Sequence, residues 1–158
     1  MSKTVIMLIG PKGSGKTHIG GVIEARREIP FLRVEPIWLA LEPGQDGWRE
    51  VEQAIDRTLD ASDAVVIESL GGSEGFERLR ANLAARHVIR FVRVVAPLDV
   101  CLERVRTRDS ADHIPISDDK VQYYNELAAQ VTLPWDCEIQ NHPPASETQI
   151  LAAIDRLR

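Results

Sequence analysis

The chain has 158 residues, of which 44% are hydrophobic and 27% charged, a balance typical of one globular domain. Its formal net charge of −5 argues against a general binder of nucleic acid or of anionic membranes, and its two cysteines argue against a disulfide framework or a zinc cluster. No apolar run reaches the roughly 18 residues of a membrane span, and the first apolar run does not have the form of a signal peptide. We therefore expect a cytoplasmic protein.

The first predicted strand covers residues 4–9 and leads directly into the sequence GPKGSGKT at residues 10–17. This sequence fits the phosphate-binding loop pattern G-x-x-x-x-G-K-[ST], and a helix predicted over residues 17–27 follows it. A strand that ends at the loop and a helix that begins there would turn backbone N–H groups toward one phosphate chain. The sequence therefore predicts a phosphate-binding site.

The residues of this loop have separate predicted roles. The ammonium group of Lys16 would contact the terminal phosphates, and the hydroxyl group of Thr17 would bind Mg²⁺. Glycines allow the backbone to approach the phosphates closely. The predicted nucleotide-binding residues of this segment are Gly10, Lys12, Gly13, Ser14, Gly15, Lys16, Thr17 and His18.

Downstream of the first helix, apolar runs alternate with helical patterns. Further strands are predicted over residues 31–36, 64–68, 88–95 and 137–139, the first of these ending at Pro36. Helices are predicted to begin at the N-cap residues Asp46, Ser73, Ser117 and Ser146. This alternation favours right-handed βαβ units and a parallel sheet with helices on both faces.

Two glutamates lie at the ends of predicted strands, Glu35 on the second and Glu68 on the third. Parallel sheets bind ligands at the carboxyl ends of their strands, so both carboxylates are candidates for a catalytic role. Either could act as the base that orients an acceptor hydroxyl group, and Glu68 could instead hold a water molecule bound to Mg²⁺. The sequence leaves open which of the two is the base.

Residues 92–109, which include Arg104 and Arg108, resemble the strand, helix and arginine-bearing lid of the small P-loop kinases. That family includes nucleoside, nucleoside-monophosphate, shikimate and gluconate kinases. The resemblance implies a three-layer α/β/α fold whose five-stranded parallel sheet has the strand order 2-3-1-4-5. It also implies one domain over residues 1–158, a small lid near residues 106–116, and ATP with Mg²⁺ as the phosphoryl donor.

The same resemblance implies roles for individual residues. Arg104 would lie near the adenine, Arg108 would neutralise charge on the transferred phosphoryl group, and Asn141 would lie beside the adenine edge. Glu35 and Trp38 belong to a segment similar to the Glu-Pro…Trp segment of deoxynucleoside kinases, where the glutamate acts as base and the tryptophan lines the acceptor pocket. The Asp-x-Asp of shikimate kinases is absent, which argues against shikimate itself as the acceptor.

We therefore expect an ATP-dependent phosphotransferase that moves the γ-phosphoryl group to a hydroxyl, or a phosphate, of a small metabolite or nucleoside. The expected catalytic residues are Lys16, Glu35, Glu68 and Arg108, and the expected metal-binding residues are Thr17 and Glu68. Two alternatives are a polynucleotide 5′-hydroxyl kinase, which the acidic chain disfavours, and a regulatory nucleotide-binding module without an acceptor. No membrane partner is expected, and neither the acceptor nor the oligomeric state follows from the sequence.

Overall fold

The computed structural model describes residues 3–107 and 117–157. Within these residues, the strands are β1 (Thr4–Ile9), β2 (Ala64–Ser69), β3 (Val88–Val95) and β4 (Cys137–Gln140). The helices are α1 (Lys16–Arg27), α2 (Val34–Leu39), α3 (Gly47–Ala61), α4 (Glu74–Ala84), α5 (Leu98–Thr107), α6 (Asp118–Ala129) and α7 (Glu147–Asp155). None of these helices is both long enough and apolar enough to cross a membrane.

The sheet is parallel, and β1 lies inside it between β2 and β3. Successive side chains of a strand point to opposite faces, so β1 contributes to two hydrophobic cores. Ile6 and Leu8 pack into the core that α1 and α7 cover, while Val5, Met7 and Ile9 pack into the core that α3 and α4 cover. This burial on both faces explains why the first strand is a continuous apolar run.

The prediction of five strands in the order 2-3-1-4-5 was wrong. The sheet of the described residues has four strands in the order β2-β1-β3-β4. The predicted second strand is reduced to one isolated bridge between Phe31 and Val66, next to which the amide of Leu32 donates to the carbonyl of Val66 at 2.9 Å. The loss of this strand accounts for the difference in both number and order.

A short helix replaces most of the predicted second strand. The extended residue Arg33 precedes α2, and Pro36 is the third residue of that helix. Proline is tolerated in the first turn of a helix, because the N–H group that it lacks would have no acceptor within the helix. Pro36, which we interpreted as the end of a strand, therefore lies in the first turn of a helix.

The predicted helix starts are confirmed. The side chains of Asp46, Ser73, Ser117 and Ser146 each accept a hydrogen bond from a backbone N–H in the first turn that follows. Ser146 also forms the reciprocal pair with Gln149 that defines a capping box. These local signals fix where α3, α4, α6 and α7 begin.

Two adjacent glycines in α1 provide a matched test of how closely this helix packs against the ring of Phe31. A Cβ atom at Gly20 would lie 2.6 Å from three ring atoms of Phe31, whereas a Cβ atom at Gly21 would meet nothing within 4 Å. We expect Gly21→Ala to raise the free energy of unfolding by about 0.5–1 kcal/mol, because alanine favours the helix. Gly20→Ala should lower it, since overpacking costs roughly 1–3 kcal/mol.

Urea denaturation of both variants would measure these free energies. Equal stabilisation by the two substitutions would show that the ring of Phe31 does not pack against α1.

Candidate active site

The loop between β1 and α1 has every carbonyl group from residue 10 to residue 15 engaged by the protein. The acceptors, each followed by its donor, are Gly10 (Lys16 Nζ), Pro11 (the Ser14 amide), Lys12 (Asn125 Nδ2), Gly13 (Arg104 Nη1), Ser14 (Arg104 Nη1 and Asn141 Nδ2) and Gly15 (the Ile19 amide). Helix α1 has no side-chain cap and no acidic residue in its first turn. The amides at its start therefore face a site suited to an anion.

Glycine is required in this loop by conformation and by space. Gly13 and Gly15 have φ values of 84° and 98°, in the left-handed region that other residues rarely adopt. A Cβ atom at Gly13 would lie 2.2 Å from the carbonyl oxygen of Cys101, and one at Gly15 would lie 2.1 Å from Nδ2 of Asn141. The surrounding protein thus fits against the loop backbone as closely as glycine allows.

Lys16 is the buried cation of the site, with 8% of its surface exposed. Burial lowers the pKa of its ammonium group to about 8, although the carboxylates of Glu68 and Glu35 act in the opposite direction. Its Nζ donates to the carbonyl oxygens of Gly10 and Pro11. A negatively charged ligand would stabilise this ammonium group further.

A cavity of about 430 Å³ begins at the loop and extends along the carboxyl ends of β1 and β2. The hydroxyl of Thr17 and the carboxylates of Glu35 and Glu68 belong to residues that line it together with Lys16. Glu68 is 8% exposed. Trp38 and Trp48 also line the cavity, so part of its wall is aromatic.

The residues of the loop fit a bound phosphate chain with a magnesium ion. The hydroxyl oxygen of Ser14 is buried and has no hydrogen-bond partner among the described residues, which leaves a polar atom available inside the loop. Thr17 and Glu68 supply oxygen atoms of the kind that Mg²⁺ prefers, alongside the phosphates themselves.

Comparison with known proteins points to kinases. No protein-family model matches the chain. The shikimate kinase of Vibrio vulnificus strain YJ016 is 26% identical over 120 aligned positions, and the match covers 70% of this chain and 66% of that protein, just under two thirds of its length. The shikimate kinase of Pasteurella multocida strain Pm70 is 26% identical over 179 aligned positions, and the match covers 98% of this chain and 97% of the relative.

Solved kinase structures share the fold over nearly the whole chain. A kinase-like protein from Chloroflexus aurantiacus has a TM-score of 0.75 at 14% identity, covering 99% of this chain and 98% of its own. The shikimate kinase of Aquifex aeolicus has a TM-score of 0.63 at 19% identity, with 97% and 95% covered. The gluconokinase of Sinorhizobium meliloti has a TM-score of 0.62 at 18% identity, with 99% and 93% covered.

The chain is similar to small P-loop kinases over nearly its whole length.

Most of the predicted site residues surround one cavity. Those that line it are Lys12, Gly13, Gly15, Lys16, Thr17, Glu35, Glu68 and Arg104. Gly10 and Ser14 lie within the same loop, while His18 is exposed and is not one of the lining residues. Arg108 and most of the predicted lid at residues 106–116 lie outside the described residues.

Arg104 and Asn141 form a network that supports the loop. The guanidinium group of Arg104 donates to the carbonyl oxygens of Gly13 and Ser14 at 3.2 Å and to that of Asn141 at 2.7 Å. The side chain of Asn141 donates to Ser14 and accepts from the amide of Ala145 at 2.9 Å. Both residues are thus engaged with the loop backbone, and their predicted positions beside the adenine stay predictions.

Asn125 is a site residue that the sequence analysis missed. It is 7% exposed, and its side chain accepts from the amide of Lys12 at 2.8 Å and donates to the carbonyl of Lys12 at 3.1 Å. The position is four residues after the buried Val121, on the buried face of α6. An amide side chain on an otherwise apolar face is the signal that could have identified it.

Nucleotide affinity should depend on pH through Lys16. A phosphate chain favours the charged ammonium, whose pKa in the free protein is about 8, so affinity should be full below this pH and fall as the pH rises through it. The slope should approach about tenfold per pH unit above the pKa. Calorimetric titration with Mg-ATP from about pH 7 to about pH 9.5 would measure it, with proton uptake appearing in the upper range.

Lys16→Arg is the control, because a guanidinium group stays charged over this range and should remove the slope. A wild-type affinity that stays constant up to about pH 9.5 would contradict the assignment of Lys16.

Asn125→Ala should loosen the loop, because both backbone groups of Lys12 lose a partner. We expect a loss of about 1–3 kcal/mol in the free energy of unfolding and a roughly tenfold rise in the KM for ATP. Gln122→Ala, an exposed position on the same helix, should change neither quantity. Chemical denaturation and steady-state kinetics would measure both, and an unchanged KM would remove Asn125 from the support of the loop.

Proposed function

We propose that this protein is an ATP-dependent phosphotransferase that transfers the γ-phosphoryl group to a hydroxyl group of a small molecule. The observation that carries the proposal is the cavity of about 430 Å³ that brings Lys16, Thr17 and the carboxylates of Glu35 and Glu68 together. The relatives named above are kinases by name.

The reaction would proceed by in-line displacement at the γ-phosphorus of ATP. The acceptor oxygen forms a bond to phosphorus, the bond to the bridging oxygen of the β-phosphate breaks, and ADP leaves. The hydroxyl proton passes to the carboxylate of Glu35 or Glu68. Lys16 and the amides at the start of α1 would stabilise the negative charge that spreads over the phosphoryl oxygens.

A magnesium ion bound here would neutralise part of the charge of the phosphate chain. The hydroxyl of Thr17 would hold the ion, with Glu68 bound to it directly or through water. In this assignment Glu35, which lines the cavity from α2, is the acceptor-side carboxylate. We also propose that residues 1–158 act as one unit with a lid near residues 106–116, from which Arg108 would neutralise the transferred group.

Labelled ATP and a panel of acceptors would test the proposal. The panel should contain sugars, sugar acids, shikimate, nucleosides, nucleotides and single-stranded oligonucleotides. Transfer of label that requires an acceptor supports a kinase. Hydrolysis at the same rate with every acceptor would contradict it and favour a regulatory module, and transfer to oligonucleotides alone would favour a polynucleotide kinase.

Substitutions should separate the roles of the charged residues. Lys16→Ala should lower kcat by at least roughly 10²–10³-fold, because a preorganised charge facing the transferring group is lost. Glu35→Gln should lower kcat by roughly 10²–10⁴-fold with little change in ATP affinity, since a base is lost but the nucleotide contacts stay.

Glu68→Gln is the companion variant and should raise the Mg²⁺ concentration needed for half-maximal activity. A folded Lys16→Ala variant with normal turnover would remove the central assignment. A normal kcat for Glu35→Gln would shift the role of the base to Glu68.

A further inference from the structure

The phosphate-binding loop and helix α6 each line two cavities. The second cavity, of about 260 Å³, has Gly10 and Pro11 of the loop in its wall, whereas Lys12 and Lys16 line the active-site cavity. Ala128 of α6 lines both cavities. A ligand in the second cavity would therefore contact the same loop and the same helix that shape the active site.

The walls of the second cavity are mostly apolar. They come from the end of β3, from α5, from α6 and from the segment before β4, and they include Val94, Leu98, Cys101, Ala129 and Trp135. Burial raises the pKa of the Cys101 thiol, which therefore stays uncharged at neutral pH. Leu98 and Ala129 are exposed, so the cavity reaches the surface at these residues. An apolar molecule that entered here would remove apolar surface from water.

The charges around the second cavity balance one another. Among the described residues that line it, the charged ones are Arg93 and Glu126. Nη1 of Arg93 lies 3.7 Å from Oε1 of Glu138, and its guanidinium group lies 5.8 Å from the ring centroid of Trp135. A charged ligand would thus lose its hydration without gaining an unpaired opposite charge, which favours an uncharged one.

The volume of the second cavity sets the size of the ligand. An apolar cavity of about 150 Å³ holds one benzene ring. A cavity of about 260 Å³ therefore has room for a bicyclic aromatic compound. The indole ring of Trp135 in its wall provides a surface for aromatic contact.

Helix α6 is anchored outside the two hydrophobic cores. Its buried residues are Val121 and Asn125, and neither belongs to either core. The helix packs against α5, and the side chain of Asn125 joins it to both backbone groups of Lys12, at 2.8 and 3.1 Å. Asn125 also lines the second cavity. The contact that holds the loop is therefore part of the wall of this cavity.

A ligand in the second cavity would contact α5, α6 and the loop together. These walls are in place when Asn125 holds Lys12, and loss of that contact would let two of them separate. A ligand favours the state in which its contacts are formed and raises the population of that state. The same state has the loop ordered for a phosphate chain, so the two ligands would favour one conformation.

We propose that the second cavity binds a small, uncharged, bicyclic aromatic compound, and that its occupancy raises the affinity of the loop for Mg-ATP through Asn125. By linkage, Mg-ATP raises the affinity for the aromatic compound by the same factor. The proposal goes beyond phosphoryl transfer, because it assigns a second ligand site and requires only that the loop binds a nucleotide.

Tryptophan fluorescence would test the place and the class of the ligand. The probe is 5-nitroindole, an uncharged bicyclic quencher, and its charged counterpart is 5-nitroindole-2-carboxylate. Quenching should persist in Trp38→Phe and Trp48→Phe, which alter the active-site cavity, and should be lost in Trp135→Phe. The carboxylate should bind at least about tenfold more weakly. Quenching that is lost with Trp38 or Trp48 instead, equal binding of the two probes, or no quenching at all would overturn the proposal.

Calorimetric titration would test the coupling between the two sites. Saturating 5-nitroindole should lower the Kd of a nonhydrolysable ATP analogue with Mg²⁺ by about fivefold or more. Asn125→Ala should remove this effect while 5-nitroindole still binds. A Kd that stays constant or rises with 5-nitroindole, or full coupling in folded Asn125→Ala, would overturn the proposal.

A variant that fills the second cavity provides an independent test. Ala129→Leu places a larger side chain at the mouth of the cavity and should abolish both the quenching and the effect on nucleotide affinity. Ala152→Leu is the matched control, because Ala152 is an exposed alanine of α7 that lines neither cavity. Undiminished quenching in folded Ala129→Leu would place the probe elsewhere and contradict the proposal.

These outcomes are distinct from a failure of the proposed function. Normal binding of Mg-ATP without transfer to any acceptor would defeat the phosphotransferase and leave the second site standing. Acceptor-dependent transfer with a nucleotide affinity that 5-nitroindole does not change would do the reverse. A folded protein that did not bind Mg-ATP would defeat both.

Discussion

The carbonyl groups of the phosphate-binding loop are held by four separate parts of the chain, and the rest of the site depends on this constraint. Arg104 reaches them from α5, Asn125 from α6 and Asn141 from the end of β4, while Lys16 folds back from α1. The amides of Lys12 and Ser14 also have acceptors within the protein, so a ligand would bind to other amides of the loop and of the start of α1. The loop loses its conformational entropy when the protein folds and not when a ligand binds. The binding energy of the ligand can therefore serve to orient it and to stabilise its charge.

The short helix α2 contributes a carboxylate and an aromatic ring to the cavity that the loop also lines. Glu35 and Trp38 are three residues apart in this helix, so both side chains lie on one side of it and line the same cavity. In an extended strand, residues three apart would point to opposite faces. The departure from a fifth strand is therefore what brings a carboxylate and an aromatic ring to one pocket.

The kinases that share this fold are named for different acceptors. Kinases named for shikimate and gluconate share the fold over nearly the whole chain, although their acceptors differ. Fold similarity at this level of identity therefore says little about the acceptor, which depends on the side chains that line one end of the cavity. In this chain Trp38 and Trp48 line part of the cavity, and their indole rings lie against Gly47 of α3 and Gly75 of α4.

The sequence by itself determined the features that depend on neighbouring residues. The loop motif, the helix starts at Asp46, Ser73, Ser117 and Ser146, and the strands around Val5, Val65 and Val92 could all be predicted, because capping and hydrophobic runs act over a few residues. The tertiary structure alone decided that residues 34–39 form a helix, that Asn125 holds Lys12, and that Trp38 meets Trp48. These features depend on packing between different helices and strands, which no local sequence pattern encodes.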